Sequence, residues 1–464
     1  MSLSLILFED HSAQGFRPLS WSVPVYELPS GLFHLRERLE LLAADHPVAR
    51  RVLLPRGFLQ ELQDRALPTG WTSGFEAARQ AAALGERVLL ISSRWSGRGA
   101  SLLDLLQAAS RDFVSRDQDG LVAAACDAAT AATLLESWNQ WDQTCTRTQA
   151  WTLPTTPVPT WLPEIDGVEF EPLSWRRLWD RIPGIGEAVV EDLRLVIDAG
   201  RPYSRSVFGV TDTGDAPGTW RRPIRLAQLT DVPAGVSILG EHGVWIGEDS
   251  LLDPSVVLDA REGPIVLESD VTIRSHVLLV GPLAVGIGST VKAGARIGGE
   301  TAIGPVCRIN GEVAESQILA FANKQHAGFL GHAVLGSWVN LGADTTNSDL
   351  KNNYGLIQVN AGLGPEPTGT RFLGLMMAEH GKSAIGTTFN TATTVGFSAN
   401  VFAAGFPRAC IGNFSWGDGR GKITDVERAI ETARIVMSRR GVELTPAHED
   451  LFRRLASGLQ RPAL

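Results

Sequence analysis

Residues 297–310 read IGGETAIGPVCRIN, and an isoleucine recurs there every six positions, at Ile297, Ile303 and Ile309. A glycine or an asparagine follows each isoleucine. An α-helix spaces its apolar residues by three and four positions, and an ordinary strand spaces them by two. A period of six instead predicts one short strand and one turn per repeat. Three such repeats close one coil of a left-handed parallel β-helix.

The same six-residue period extends toward the N-terminus of this stretch. Two further sets of apolar residues keep it: Ile246, Leu252 and Leu258, and then Ile265, Val271, Val277 and Leu283. In a β-helix each of these side chains stacks on its counterpart one coil away, at about 4.8 Å. An irregular β-sandwich is the alternative, but it gives no reason for a fixed period. We therefore predict hexapeptide repeats over residues 231–420.

The first third of the chain has a different pattern. Short apolar runs alternate with helical stretches, which predicts an α/β domain with a mostly parallel sheet over residues 1–163. The runs are 3–8, 51–54, 87–92 and 121–125, and the helical stretches are 32–42, 74–84 and 127–138. Four prolines within residues 154–163 end this domain. A helical linker over 164–230 and a helical tail over 421–464 complete the predicted organisation.

Composition limits the possible partners and the compartment. The net charge of -9 argues against nucleic acid or an anionic membrane as a partner. The four cysteines lie far apart, so the sequence signals neither a disulfide framework nor a thiolate zinc site. The apolar run near Met1 is too short for a signal peptide or a membrane span. We expect a cytoplasmic protein.

Two blocks within the repeats carry a family resemblance. Residues 318–343 read ILAFANKQHAGFLGHAVLGSWVNLGA, and residues 347–355 read NSDLKNNYG. They resemble the bifunctional N-acetylglucosamine-1-phosphate uridyltransferase / glucosamine-1-phosphate acetyltransferase family, in its alternative branch described as putative sugar nucleotidyltransferases. The resemblance implies an α/β nucleotidyltransferase-like domain followed by a β-helix acyltransferase domain. It also implies a homotrimer whose active sites lie between coils.

The resemblance implies a reaction and a set of site residues. Acetyl-CoA would N-acetylate an amino-sugar 1-phosphate, glucosamine 1-phosphate first of all, with His326 as the general base. Lys324, Lys351 and Arg371 could hold a sugar phosphate or the diphosphate of the acyl donor. The other expected contacts to sugar or cofactor are Asn340, Ala343, Asn347, Asn353, Tyr354 and Lys382, although asparagines also form turns in a β-helix.

Some positions depart from the family pattern. Lys324 stands two residues before His326 rather than three, and Phe329 replaces a tyrosine. In the N-terminal domain the glycine-rich phosphate loop is missing, and residues 1–291 contain no lysine. Arg17, Arg36 and Arg38 could replace the missing charges, and Asp10 could hold Mg²⁺ for a nucleoside triphosphate. The resemblance thus leaves nucleotidyl transfer open.

Three other hypotheses belong to different classes. The β-helix could be a trimerising or regulatory unit of a nucleotidyltransferase. The whole chain could be a non-enzymatic scaffold that binds sugar nucleotides. A hexapeptide-repeat carbonic anhydrase would hold zinc with three histidines, here His276, His326 and His332. The last two stand one repeat apart, which starts them on adjacent faces of a coil.

Overall fold

A seven-stranded sheet forms the centre of the N-terminal domain in the computed structural model, which describes residues 2–43, 46, 48–147, 168–210 and 222–458. Its strands, in spatial order, are Thr72–Ser73, Val48–Leu54, Leu3–Phe8, Arg87–Ser92, Gly120–Cys126, Phe113–Asp117 and Val168–Glu169. The first four run parallel, and Gly120–Cys126 runs antiparallel to both of its neighbours. An α/β domain is confirmed. Its sheet is mixed because Gly120–Cys126 runs antiparallel, and the strand Phe113–Asp117 was not predicted from the sequence.

Helices cover both faces of this sheet, and two further helices form the C-terminal tail. The α-helices are α1 (Leu35–Leu42), α2 (Gln60–Arg65), α3 (Phe75–Leu84), α4 (Gly99–Ala108), α5 (Ala128–Arg147), α6 (Ile185–Ala199), α7 (Val426–Ser438) and α8 (Pro446–Ser457). Short 3-10 helices lie at His11–Phe16, Leu19–Trp21, Val25–Glu27, Gly57–Leu59 and Leu178–Gly184. The predicted proline-rich connector at 151–163 lies outside the described residues.

A long run of short parallel strands follows, arranged in three sheets. The first sheet contains Leu226–Gln228, Val244–Gly247, Ile265–Leu267, Leu283–Val285, Thr301–Ile303, Gln317–Ile318, Val334–Leu335, Met376–Met377, Thr394–Val395 and Cys410–Ile411. The second contains Leu251–Leu252, Thr272–Ile273, Thr290–Val291, Arg308–Ile309 and Asn323–Lys324. It continues through a bridge at Asn340 to Lys382–Ser383, Asn400–Val401 and Trp416–Gly417.

The third sheet contains Ser237–Leu239, Val257–Asp259, Leu278–Val280, Arg296–Ile297, Glu312–Ala314 and Phe329–Gly331, and a separate pair joins Thr346–Asn347 to Thr388–Phe389. Only the strand at 226–228 pairs antiparallel in the first sheet. We call the region from Leu226 to Gly417 the coil, and we call one passage of the chain through its three sheets a single coil. Its strands are consistent with a β-helix.

The register shows how regular the coil is. Ile265 pairs with Leu283, and Leu283 pairs with Thr301, so these successive coils are 18 residues long, as three six-residue repeats predict. Elsewhere the period fails: Val244 pairs with Ile265, and Ala302 pairs with Gln317. A strict hexapeptide repeat is therefore not confirmed, and the left-handed sense stays a prediction.

Stacked aliphatic side chains fill the interior of the coil. Of the residues whose six-residue spacing led to the prediction, those at 258, 265, 271, 277, 283, 297, 303 and 309 are buried, whereas Ile246 and Leu252 are only half-buried. Each closed coil hides only a narrow core, so stability comes from stacking one coil on the next. Residues 348–375 leave this stack, and Val334 consequently pairs with Met376, 42 residues later. We call this segment the arm; its hairpin pairs Gln358–Asn360 with Pro365–Pro367.

The N-terminal domain, the coil and the tail share one hydrophobic core. It includes Phe16 from the N-terminal domain, Ile357 from the arm, Trp338 from the coil and Phe452 from α8, all of them buried. Helix α7 begins after the N-cap Asp425, whose carboxylate accepts a hydrogen bond from the backbone N–H of Arg428. Among the described residues, no helix is both long and apolar enough to cross a membrane.

Candidate functional site

The carboxyl ends of the parallel strands bring polar residues to one edge of the N-terminal sheet. The strand Leu3–Phe8 continues into Glu9 and Asp10. Glu9 is fully buried; its carboxylate accepts hydrogen bonds from the Nε of Arg56 at 3.1 Å and from the backbone N–H of Val25 at 2.8 Å. Glu9 therefore neutralises Arg56 and supports the loop that follows. Ligands of open α/β sheets bind at this kind of edge.

Asp10 differs from the other carboxylates at this edge. Its Oδ1 accepts a 2.9 Å hydrogen bond from the backbone N–H of Ser12, so that Asp10 caps the 3-10 helix His11–Phe16. Its Oδ2 is buried and has no hydrogen-bond partner among the described residues. The same holds for the hydroxyl of Ser93, which follows the neighbouring strand. An anionic oxygen buried without a partner is costly, and a cation would satisfy it.

The 3-10 helix stands where the family would have a glycine-rich phosphate loop. Gly15 is required in it, because a Cβ there would lie 2.1 Å from the carbonyl oxygen of Arg176. Arg17 follows, and its guanidinium lies 4.0 Å from the centroid of the Trp21 ring. Burial and the nearby charge of Arg56 lower the pKa of Arg17 to about 10. Arg17 is thus a buried cation at the C-terminal end of the 3-10 helix that Asp10 caps.

The structure does not bring Arg36 and Arg38 to this edge. Both belong to α1 and are almost completely buried. Arg36 pairs with Glu27 at 3.0 Å and with Glu40 at 2.5 Å. Arg38 pairs with Asp192 of α6 at 2.6 Å. These arginines join the parts of the N-terminal domain to one another.

Two further ion pairs at the edge were not predicted from the sequence. Arg94 is fully buried, and its Nη1 and Nη2 both donate to the carboxylate of Asp117, Nη2 at 2.7 Å. The hydroxyl of Ser174 donates to the same carboxylate at 2.6 Å. Arg176 pairs with Asp119. The unpredicted strand Phe113–Asp117 delivers these carboxylates, so no sequence motif marked them.

In the coil, Lys324 and His326 lie together as the sequence predicts, but they have different surroundings. Lys324 is buried, and its Nζ donates to the backbone carbonyls of Asn310 at 2.9 Å and of His326 at 3.0 Å. Burial lowers the pKa of Lys324 to about 8. His326 is exposed at the corner after this strand. Lys324 thus holds the backbone that presents the His326 imidazole to solvent.

A second histidine in the coil has stronger partners. The Nδ1 of His332 lies 2.8 Å from Asp349, its Nε2 contacts Glu315, and its ring stacks on Phe372 with centroids 5.1 Å apart. Burial lowers the pKa of His332, but hydrogen bonds to Asp349 and Glu315 outweigh burial and raise it to about 9. The imidazole is therefore protonated at neutral pH. Glu315 and Asp349 stand 17 residues on either side of His332, a spacing that departs from the six-residue period, so the sequence pattern did not mark them.

The other predicted coil residues fall into two groups. Asn340 and Lys382 share a row of the second sheet with Asn323, while Asn347 is buried and bonds both backbone groups of Gly331 at 3.0 and 3.1 Å. The backbone carbonyl of Ala343 accepts from the N–H of Gly386 at 2.8 Å.

The second group lies on the arm. The Nζ of Lys351 donates to the carbonyl of Leu356 at 2.9 Å, and the Nε of Arg371 donates to the carbonyl of Tyr354 at 3.1 Å. Tyr354 is 67% exposed, and Asn353 caps the N–H of Gly355. These bonds fold the arm, and they leave the Tyr354 ring accessible from outside.

The geometry of the histidines bears on the zinc hypothesis. His276 and His326 are both exposed at corners of the coil. Across the part of the chain that the structure describes, no three His, Cys, Asp or Glu side chains converge in a way that could hold a metal ion. A Mg²⁺ ion bound at Asp10 would need its remaining ligands from water and substrate phosphates, as is usual for this ion.

The fold and the two sites define a class of protein: an α/β domain with a ligand edge at the carboxyl ends of its strands, packed against a coil of parallel strands. Residues 5–199 match the family described as sugar nucleotidyl transferase. This match covers the whole edge, from Glu9 to Arg177, and it supports a transferase of sugar-nucleotide biosynthesis. No curated protein matches the chain.

Proposed function

We propose that the N-terminal domain transfers a nucleotidyl group to a sugar 1-phosphate. In this reaction a phosphate oxygen of the sugar attacks the α-phosphorus of a nucleoside triphosphate. The bond to the β-phosphate breaks, and pyrophosphate leaves. The observation that carries the proposal is the buried Oδ2 of Asp10, which has no hydrogen-bond partner among the residues described, at the sheet edge of a domain that matches the sugar nucleotidyl transferases.

The donors at this edge fit a magnesium ion. Asp10 offers an anionic oxygen, and Ser93 offers a hydroxyl oxygen on the adjacent strand end. Oxygen donors of this kind suit Mg²⁺. When bound, the ion would neutralise charge on the triphosphate.

The residues of the chain supply the remaining requirements. Arg17 brings a positive charge to the far end of the 3-10 helix that Asp10 caps, in the segment where the family pattern would have a lysine. The ion pair of Glu9 with Arg56 fixes the start of the loop, and Asp117 fixes Arg94. Rigid groups that surround a reacting phosphate need no rearrangement during the reaction.

Replacing Asp10 tests this proposal. Asp10→Asn keeps the helix cap but loses the anionic oxygen, so we expect kcat for pyrophosphate release to fall about 100-fold. The assay contains a nucleoside triphosphate, a sugar 1-phosphate and Mg²⁺. Asp104→Asn, on the exposed side of α4, is the matched control. Equal activity of wild type and Asp10→Asn would remove the proposal.

We further propose that the coil N-acetylates an amino-sugar 1-phosphate such as glucosamine 1-phosphate, with acetyl-CoA as donor. The amine nitrogen forms a bond to the thioester carbonyl carbon, the carbon–sulfur bond breaks, and the thiol leaves. His326 takes the proton from the amine. The supporting observation is that Lys324 holds the backbone carbonyl of His326 while the imidazole remains exposed.

Thiol release from acetyl-CoA tests this second reaction. His326→Ala should lower kcat by about 100- to 10,000-fold, because a general base contributes that much. His242→Ala, at another exposed position of the coil, should retain full activity. A His326→Ala enzyme with normal turnover would exclude His326 as the base. We also expect a homotrimer, which analytical ultracentrifugation can measure.

A further inference from the structure

One row of the second sheet of the coil collects basic and amide side chains on its outer face. Arg308 pairs in register with Asn323, and isolated bridges continue the row to Asn340 and Lys382. The next residue along each strand, such as Lys324 or Ser383, is buried inside the coil. The row residues consequently leave the backbone on the outer face, with about 4.8 Å between neighbouring strands. We call these residues the basic row.

The tail adds a further cation to the basic row. The Nη2 of Arg440, two residues beyond α7, donates a 2.7 Å hydrogen bond to the Oδ1 of Asn323. Helix α7 begins beside the last coil, where the N–H of Thr424 donates to the carbonyl of Phe414. Its 13 residues span about 20 Å, and four coil steps from Trp416 back to Asn323 span about 19 Å. The helix therefore runs along the row and sets Arg440 beside Arg308.

Within the part of the chain that the structure describes, none of these cations pairs with a carboxylate; Arg308 donates to the carbonyls of Gly288 and Cys307, and Lys382 donates to that of His380 at 2.9 Å. Burial lowers the pKa of Arg308, Lys382 and Arg440, and the charge of Arg308 lowers that of Arg440 further. Among the described residues no carboxylate contributes to these shifts. Arg36 and Arg94, which are also buried, are by contrast paired with carboxylates. Like charges that are partly withdrawn from water repel one another, and a bound anion would reverse that cost.

We propose that Arg308 and Arg440 bind a phosphate or diphosphate group of a ligand together with the amide of Asn323, and that Asn340 and Lys382, further along the row, contact the rest of the same ligand. Guanidinium and amide N–H groups are the donors that such oxygens require. The Oδ1 of Asn323 is already occupied by Arg440, so its amide nitrogen remains to donate. The site goes beyond the proposed function, since it stands whether or not the coil transfers an acyl group.

The position of the site indicates what kind of ligand reaches it. Asn323 and His326 are three residues apart, a distance of at most about 10 Å. A small phosphorylated molecule bound at the basic row could thus extend to the corner where His326 is exposed. Both a sugar 1-phosphate and the diphosphate of coenzyme A have the required chemistry.

Binding rather than turnover tests the site. Calorimetry would compare inorganic pyrophosphate, glucosamine 1-phosphate and coenzyme A on the whole protein. We expect Arg440→Gln and Lys382→Gln each to weaken binding by about tenfold. Arg296→Gln, exposed on the third sheet, should bind like wild type. Arg440 lies beyond the end of α7, so Arg440→Gln should keep the melting temperature of wild type.

The relative affinities for these compounds show which ligand supplies the anion. Tighter binding of coenzyme A would assign the basic row to an acyl donor, and tighter binding of glucosamine 1-phosphate would assign it to a sugar phosphate. The proposal fails if wild type binds none of the three up to about 10 mM, or if both variants bind as wild type does. A failed acyl-transfer assay would leave these binding results unaffected.

Discussion

The hydroxyl of Tyr203 donates a 2.8 Å hydrogen bond to Oε1 of Glu268, and neither side chain is appreciably exposed to solvent. Tyr203 precedes the coil, whereas Glu268 belongs to its first sheet. Arg205 lies 3.0 Å from the same oxygen, and the other oxygen accepts the backbone N–H of Ile287 at 2.8 Å. This buried carboxylate therefore joins the N-terminal domain to the coil.

The first prediction concerns Glu268. Glu268→Ala should lower the free energy of unfolding by about 3–5 kcal/mol, because it leaves Arg205 and Tyr203 buried without this partner. Denaturant unfolding monitored by tryptophan fluorescence would measure the change, and a single transition should separate into two. Tyr354→Phe, at an exposed position, is the control. A loss below about 1 kcal/mol would show that Glu268 is dispensable.

A second prediction follows from the pKa of Lys324, which burial lowers from 10.5 to about 8. Between these values the unfolded chain binds more protons than the folded one, so the free energy of unfolding rises with pH. Lys324→Met should remove about 3 kcal/mol of this rise between pH 8 and 10.5. Lys422→Met, at an exposed site, should retain it. If Lys324→Met keeps the same dependence of the free energy of unfolding on pH, the lowered pKa of Lys324 is wrong.

The contribution of His332 to the free energy of unfolding depends on pH in the opposite direction. Hydrogen bonds to Asp349 and Glu315 overcome burial and raise its pKa from 6.5 to about 9. Its contribution to stability should thus be complete below pH 6.5 and disappear as the pH rises through 9. An NMR titration of the imidazole would measure the pKa directly, with exposed His242 as the internal comparison. A pKa of His332 below 7 would show that Asp349 and Glu315 do not stabilise the protonated imidazole.

A fourth prediction concerns the aromatic stack at one corner of the coil. Phe321 and Trp338 lie parallel with centroids 4.1 Å apart, and His380 lies 6.1 Å beyond Trp338. Trp338→Ala should destabilise the protein by about 3–5 kcal/mol, as for other large buried aromatic residues. Trp416→Ala, where the ring is 48% exposed, should cost far less. Thermal unfolding of the two variants would give the comparison, and equal losses would refute the difference in packing.

Local sequence patterns predicted the structure correctly where neighbouring residues along the chain determine it. The strands at 3–8 and 87–92 occur as predicted, and the repeat residues from Leu258 to Ile309 are buried. The cluster around His332 could not be found in the same way, because its partners come from other coils. Its register depends on coils of 17 residues, whereas the regular period is 18. A sequence period of six could not predict that irregularity.

The N-terminal edge shows a second limit. Arg36 and Arg17 are both arginines that follow the first strand, so composition could not separate them. Their different roles depend on tertiary packing: Arg36 lies against Glu27 and Glu40 inside the domain, and Arg17 lies at the sheet edge.

The match between the length of α7 and four steps of the coil constrains how this chain can change by insertion and deletion. One additional coil lengthens the stack by about 4.8 Å, so the helix would need about three more residues to keep Arg440 beside Asn323. An insertion in the coil alone would move α8, with Phe452, away from the core that it shares with Trp338. Relatives with longer coils should therefore carry longer α7 helices, whereas the hairpin of the arm can vary in length independently.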